Sequence, residues 1–169
     1  KMVDMQRFTN LEVMEYFYKE AYSYYKINEL QTTSKNYSDT SKYAKQSDYY
    51  ELAKPLFREV KDATNSPYSE NALFYYSYME YVDGNYPEAM KGFEKLSDSS
   101  MFSPVVAPYI CQVYYLNGEY DKLIQYGRKV ETTVNPKYLG DVYRVLAGAY
   151  YKTMQYKNAL PYYEKYFAS

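Results

Sequence analysis

The side chains that most often carry chemistry are scarce in this sequence. It contains no His and a single cysteine, Cys111, so the usual general base is missing and no disulfide can form within the chain. The remaining catalytic candidates are carboxylate pairs, such as Glu80 with Asp83 and Asp48 with Glu51. Paired carboxylates can exchange protons with a substrate, but charges near predicted helix ends usually complement the helix dipole and remain solvated. We therefore expect no catalytic residue, no metal site and no cofactor.

The overall composition excludes two further classes of partner. The 20 basic and 21 acidic residues give a net charge of -1, so there is no excess of positive charge for binding nucleic acid. No uninterrupted apolar run approaches the roughly 18 residues that a membrane span needs. The segment from Lys1 to Asp4 lacks the layout of a signal peptide, and it does not begin with Met. We expect a fragment or a processed product, with no nucleic-acid partner and no transmembrane segment.

The sequence has 28 Tyr and no Trp. So many rings cannot all lie on the surface, yet each buried hydroxyl needs a hydrogen-bond partner. A stack of helices satisfies both demands, because a ring can pack between helices while its hydroxyl reaches an edge.

The elements that would position these side chains are indicated by an internal repeat. Four segments align on a tyrosine, and the tyrosines are separated by 36, 34 and 36 residues. These anchors are Tyr50, Tyr86, Tyr120 and Tyr156. Three residues after them come Ala53, Ala89, Leu123 and Ala159. Nine residues before them come Ser41, Ser77, Cys111 and Ala147. The spacing predicts one helix before each anchor and one after it, in close contact through small side chains. Cys111 should therefore be a buried, inert thiol.

Turn residues separate the predicted helices. Gly84 and Gly118 precede two of the anchors and can adopt positive φ without steric cost. Ser66-Pro67 and Ser103-Pro104 predict a side-chain cap followed by Pro at the first helical position. Asn135-Pro136 marks a third junction. The helices before the anchors are predicted at residues 71–82, 105–116 and 141–152.

This pattern resembles the tetratricopeptide repeat, which combines a small residue, a Gly-x-Tyr-x-x-Ala turn, an aromatic residue and a closing Pro within 34 residues. The resemblance implies an all-α fold, with helix pairs stacked into a right-handed α-α superhelix, a solenoid. Three clear units are predicted at about 70–100, 104–133 and 138–168, and one degraded unit at about 35–62.

Several positions depart from the repeat pattern. Leu123 and Gly127 stand where an Ala and an aromatic residue are expected, so bulk moves from one position to the other and the local packing should differ. Met154 replaces the turn Gly of the last unit. The first helix of the degraded unit, at residues 37–44, is unusually polar.

The two ends of the chain are less regular. Residues 1–34 predict an N-terminal helix or a partial repeat, opened by a capping box from Thr9 to Glu12, and the polar segment 31–36 predicts a loop. The last predicted helix carries Tyr162, Tyr163 and Phe167 with no polar cap after it. We expect either that the array continues in a larger bacterial repeat protein, or that the chain self-associates through this C-terminal helix.

The resemblance also implies a binding surface, because the first helices of such units line a concave groove. Tyr81, Tyr115 and Tyr151 hold equivalent positions and could form a ladder for a ligand, or could simply pack first helices together. The predicted binding residues are Phe74, Tyr78, Tyr81, Gln112, Tyr115, Arg144, Tyr151 and Lys152.

Two functions remain open at this stage. The first is a non-catalytic scaffold that binds a peptide or a partner domain in the groove. The alternative is a cell-envelope assembly or glycan-binding protein, since repeats of this kind occur in bacterial envelope proteins; the periplasm or envelope is favoured over the cytoplasm. The Lys and Asn set by which some relatives clamp a chaperone's terminal carboxylate is not visible at Tyr78, Gln112 and Gly148. An enzyme is the third and least supported class.

Overall fold

The computed structural model describes residues 9–33 and 48–169, and these residues are almost entirely helical. No strand occurs in that part of the chain, which confirms the all-α prediction. The helices are α1 (Asn10–Thr33), α2 (Asp48–Lys61), α3 (Ser69–Val82), α4 (Tyr86–Leu96), α5 (Ser103–Leu116), α6 (Tyr120–Val130), α7 (Leu139–Lys152) and α8 (Tyr156–Ala168), with a 3-10 turn at Pro136–Tyr138. The chain divides into a first unit, Lys1–Asp83, and a second unit, Gly84–Ser169.

Helix α1 begins with the predicted capping box. The Glu12 backbone N–H donates to Thr9 Oγ1 at 3.3 Å, and the Thr9 N–H donates to Glu12 Oε2 at 2.9 Å. These two bonds satisfy backbone groups that a helix start otherwise leaves without partners. The helix continues through Thr33, so the loop predicted for 31–36 is wrong over its first three residues. The polar helix predicted at 37–44 lies outside the described residues.

In the first unit, α2 packs against both α1 and α3. The helices approach closely where Ala21, Ala53 and Ala72 face the core, all fully buried. Phe57 fills the space between them: its ring stacks on that of Tyr75 at 5.2 Å between centroids and meets the edge of Tyr18 at 6.1 Å. The first core is therefore built from rings spaced by alanines.

The second unit has a more aliphatic core. Helix α5 packs against α4, α6 and α7, and α7 packs against α6 and α8. Leu123 is fully buried, and a Cβ added to Gly127 would lie 2.7 Å from Leu146 Cδ2. Leu146 thus occupies space next to position 127 that an aromatic side chain there would need. The prediction that packing differs at Leu123 and Gly127 is confirmed.

The helix starts differ from the predicted caps. Helix α3 begins at Ser69 with Tyr68 as its N-cap; Ser66 Oγ accepts a bond from the Tyr68 N–H at 3.2 Å in the turn before the helix. Ser103 is itself the first residue of α5, which has no side-chain cap. Both serine caps were therefore predicted wrongly, because a Ser-Pro pair also suits a turn. The Asn135 junction is confirmed: its side chain accepts from the Lys137 N–H at 3.0 Å.

Two turns in the second unit close in the same way despite different residues. After α5, the Glu119 N–H donates to Tyr114 O and the Gly118 N–H to Tyr115 O; after α7, the equivalent donors are Gln155 and Met154. This bond pair is a Schellman motif, which places one residue in the left-handed region. Gly118 adopts φ of 72° there, and Met154 adopts φ of 60°. The prediction of a glycine turn is confirmed at Gly118, whereas Met154 pays a steric penalty.

Candidate functional site

Two contacts in register join α5 to α7 in the second unit. Arg144 donates from Nη2 to Gln112 Oε1 at 2.7 Å. One turn further along both helices, the Tyr115 ring lies against Gly148, where an added Cβ would be only 2.7 Å from the ring atom Cε2. Because Gly148 has no side chain, the ring can rest on the α7 backbone. These four residues together with Tyr151 define what we call the α5–α7 face.

Tyr115 and Tyr151 make equivalent contacts at different depths. The Tyr115 ring meets the edge of Tyr120 at 5.8 Å, and the Tyr151 ring meets the edge of Tyr156 at 5.4 Å. Each ring therefore rests on the anchor tyrosine of its own helix pair. Tyr115 is half-buried, whereas Tyr151 is 55% exposed. Large ring area thus reaches solvent at the Tyr151 end of the face.

Helix α8 contributes Tyr163, which is not among the predicted binding residues. Burial raises the pKa of the Tyr163 hydroxyl, and the nearby hydroxyls of Tyr115 and Tyr151 raise it further. Tyr163 is therefore close enough to both predicted site tyrosines for their hydroxyls to act on it. Its position seven residues after the anchor Tyr156, where the repeat pattern expects an aromatic residue, was the available signal.

The positive charges of Arg144 and Lys152 are not matched by nearby carboxylates in the described part of the chain. Arg144 is half-buried, and Gln112, which accepts its hydrogen bond, is neutral. Within the part of the chain that the structure describes, no carboxylate lies within 4.0 Å of Arg144 or of the exposed Lys152. The predicted residues Gln112, Tyr115, Arg144 and Tyr151 are thus brought together, and Lys152 adjoins Tyr151 in sequence.

The other three predicted residues lie on α3, in the first unit. The Phe74 and Tyr78 rings stack at 6.2 Å between centroids, and the Tyr78 and Tyr81 rings stack at 6.3 Å. All three are half-buried. They form a continuous run of rings along one helix of the first unit.

The carboxylates considered as catalytic candidates are held in an ion-pair network. Lys54 Nζ lies 2.5 Å from Glu80 Oε1 and 2.8 Å from Asp83 Oδ2, and Glu80 is only 3% exposed. The expectation of solvated charge is therefore wrong for Glu80. Tyr50 donates to Met79 O at 3.0 Å and to Asp83 Oδ1 at 3.2 Å, and burial with the Asp83 charge raises the pKa of its hydroxyl.

This network cross-links α2 to α3. Hydrogen bonds to Asp83 and Glu80 raise the pKa of Lys54 against the opposing effect of burial. The cation is thus held in its charged form between the two carboxylates, which is a structural arrangement. Asp48 and Glu51 sit in the exposed first turn of α2, where acidic groups complement the helix dipole.

Cys111 lies in the core of the second unit, as its small-residue position predicted. It is fully buried, and burial raises the pKa of its thiol to about 12. A thiol kept protonated in this way is a poor nucleophile. Across residues 9–33 and 48–169, no group of three His, Cys, Asp or Glu side chains is placed to bind a metal ion.

Helix α8 exposes apolar side chains on its outer surface. Leu160 is 60% exposed and Phe167 is 80% exposed, although Ile124, the residue of α6 equivalent to Leu160, packs against the second core. Self-association through α8 stays a prediction, which light scattering of the purified chain can test.

Comparison with known proteins adds no family to this description. No protein-family model matches the chain, and no curated protein matches it. None of the described helices is both long enough and apolar enough to span a bilayer.

Proposed function

We propose that the chain is a non-catalytic interaction scaffold, built as a right-handed array resembling tetratricopeptide repeats, and that its α5–α7 face binds a peptide segment of a partner protein. The observation that carries the proposal is the pair of contacts in register, Gln112 with Arg144 and Tyr115 with Gly148. Both sides of the surface are fixed before any ligand arrives, which lowers the entropy that binding must overcome.

The side-chain chemistry of the face supports the same function. Tyr and Arg are enriched among the residues that contribute most to protein interfaces. Tyr offers a large contact area with few rotatable bonds, and Arg offers several directional donors. The regular packing of α5, α6, α7 and α8 also supports a repeat array, since consecutive helices of this unit contact one another and two of its turns have the same geometry.

A selection from a phage-displayed library of random 12-residue peptides tests the proposal. We expect the wild-type chain to enrich peptides that the double variant Tyr115→Ala/Tyr151→Ala binds at least about tenfold more weakly, because each aromatic truncation at an interface centre removes more than about 1 kcal/mol. Tyr16→Ala is the matched control, since Tyr16 is 42% exposed and lies on α1 of the first unit.

Two results would contradict the proposal. The wild-type chain could enrich no peptide, or the enriched peptides could bind the double variant as tightly as they bind the wild type. Thermal unfolding followed by circular dichroism establishes that each variant is folded before its binding is compared.

A glycan-binding or envelope-assembly role is the second candidate. The observation that favours it is the exposed pair of rings at Tyr151 and Tyr156, which meet edge to face at 5.4 Å and could present an aromatic surface to a sugar. A glycan array probed with the wild-type chain and with Tyr156→Ala tests it. Binding to defined glycans that Tyr156→Ala abolishes would favour this role, and an array without signal would remove it.

A further inference from the structure

The guanidinium of Arg144 is only partly solvated, and no carboxylate of residues 9–33 and 48–169 neutralises it. Taking a charge partly out of water is unfavourable unless an opposite charge or several hydrogen bonds replace the lost solvent. The bond to Gln112 uses one nitrogen, Nη2, and brings no negative charge. The first unit shows the contrast: Lys54, also half-buried, is paired with two carboxylates.

We infer that the α5–α7 face takes an acidic peptide, one of whose side-chain carboxylates pairs with Arg144. This inference rests on the proposed function and names the partner's chemistry. A guanidinium has five N–H donors in a planar fork that matches a carboxylate. Because the bond to Gln112 fixes one side of the guanidinium, its remaining N–H donors are oriented before the ligand binds.

Lys152 extends the positive charge along the same helix. It lies eight residues after Arg144, which is about 12 Å along a helix that rises about 1.5 Å per residue. The Tyr115 ring rests on Gly148, midway between these two cations along α7, and Tyr151 directly precedes Lys152. An extended peptide covers about 12 Å in roughly three to four residues. The face therefore fits a segment with two acidic residues at that separation and an apolar residue between them.

The same displayed 12-residue library, read by sequencing, tests the inference. We expect the wild-type selection to enrich Asp and Glu over Asn and Gln, with pairs of acids three to four positions apart. The best selected peptide is then synthesised with its acids intact and with Asn and Gln in their place. The amide version should bind at least about tenfold more weakly, because it cannot form the charge-assisted hydrogen bond to Arg144.

Three single-residue variants test which cations bind the acidic peptide. Arg144→Gln removes the cation while keeping an amide that can bond to Gln112, and it should weaken the acidic peptide at least about tenfold. Lys152→Gln is an exposed change that leaves packing intact, and it should weaken binding by about twofold to fivefold, as expected of a solvated ion pair. Lys129→Gln is the control, because Lys129 is an exposed lysine on α6 and changes the net charge equally.

The outcomes separate this inference from the proposed function. It is overturned if the selected peptides lose binding in Tyr115→Ala/Tyr151→Ala yet show no acidic enrichment and bind Arg144→Gln as tightly as wild type. It is also overturned if Lys129→Gln weakens the acidic peptide as much as Lys152→Gln, which would indicate only a general charge effect. If the wild type selects no peptide at all, the proposed function itself fails.

Discussion

The two units of this chain use tyrosine in different ways. In the first unit, rings form the interior: Tyr18 stacks on Tyr68 at 4.8 Å, and Phe57 stacks on Tyr75 at 5.2 Å. In the second, the buried cluster around Leu146 consists of aliphatic and small residues. There, the Tyr115 and Tyr151 rings lie at the edge of the packing.

The rings of the first unit therefore serve mainly stability, whereas those at the edge of the second unit remain available for binding. A ring in the centre of a core is unavailable to a partner, whereas an aliphatic core leaves its surrounding rings at the surface. In the first unit Lys54 is paired with Glu80 and Asp83, whereas none of the carboxylates that the structure describes is paired with Arg144 of the second unit. The second unit is therefore the better candidate for recognition.

The largest effect should follow from Lys54→Met in the first unit. It breaks the ion pairs of Lys54 with Asp83 and with the buried Glu80, and should lower the free energy of unfolding by about 3 kcal/mol. Urea unfolding measures this loss. Hydrogen exchange should show weaker protection of α2 and α3 and unchanged protection of α5 to α8, because distant sites are usually independent.

Two further variants control that experiment. Lys19→Met breaks an exposed pair with Glu15 and should leave stability almost unchanged, because solvent screens such a pair. Adding Glu80→Gln to Lys54→Met should restore part of the loss, because the buried charge disappears. A Lys54→Met protein as stable as wild type would show that Glu80 does not depend on Lys54 for its stabilisation, and would remove the contrast between the units.

An intermediate effect is expected from Gly127→Ala in the second unit. Ala is normally favoured over Gly in a helix by about 1 kcal/mol, but here its Cβ would meet the buried Leu146 side chain at 2.7 Å. We expect a net loss of about 1–2 kcal/mol through overpacking. A double-mutant cycle with Leu146→Ala should show coupling above about 0.5 kcal/mol. A Gly127→Ala protein that is more stable than wild type would mean that this core is loosely packed.

The smallest effect is expected at the turn after α7. Met154→Gly should stabilise the second unit by about 0.5–1 kcal/mol, because glycine adopts φ of 60° without the steric penalty that Met154 bears. Gly118→Met is the mirror experiment and should destabilise by a similar amount. Thermal unfolding measures both. Equal melting temperatures for the wild type and both variants would show that a non-glycine residue bears no measurable steric penalty in these turns.

Much of this architecture could be predicted from the sequence. The spacing of small and aromatic residues indicated the helix pairs, and the three first helices end where predicted and begin two residues earlier. The capping box at Thr9, the turn at Gly118 and the burial of Cys111 followed from local rules that need no distant contact. Residues 112, 115, 144 and 151 were selected by equivalence between repeats.

Contacts between distant residues could not be predicted in this way. Lys54 and Asp83 are 29 positions apart, so nothing local indicated that Glu80 and Asp83 share a cation. The support of Tyr115 by Gly148 depends on how closely α5 and α7 approach, which the repeat pattern does not specify. The Ser66 and Ser103 caps failed because the same dipeptide serves a turn as well as a helix start.

The burial of the single thiol has a kinetic consequence. Only the thiolate reacts with disulfide reagents, and with a pKa near 12 the folded chain presents almost none of it at neutral pH. Each labelling event at Cys111 must therefore wait for the second unit to open. The rate of labelling therefore measures how often the second unit opens. A ligand that binds the folded chain would slow the labelling of Cys111, so binding could be followed without a label on the partner.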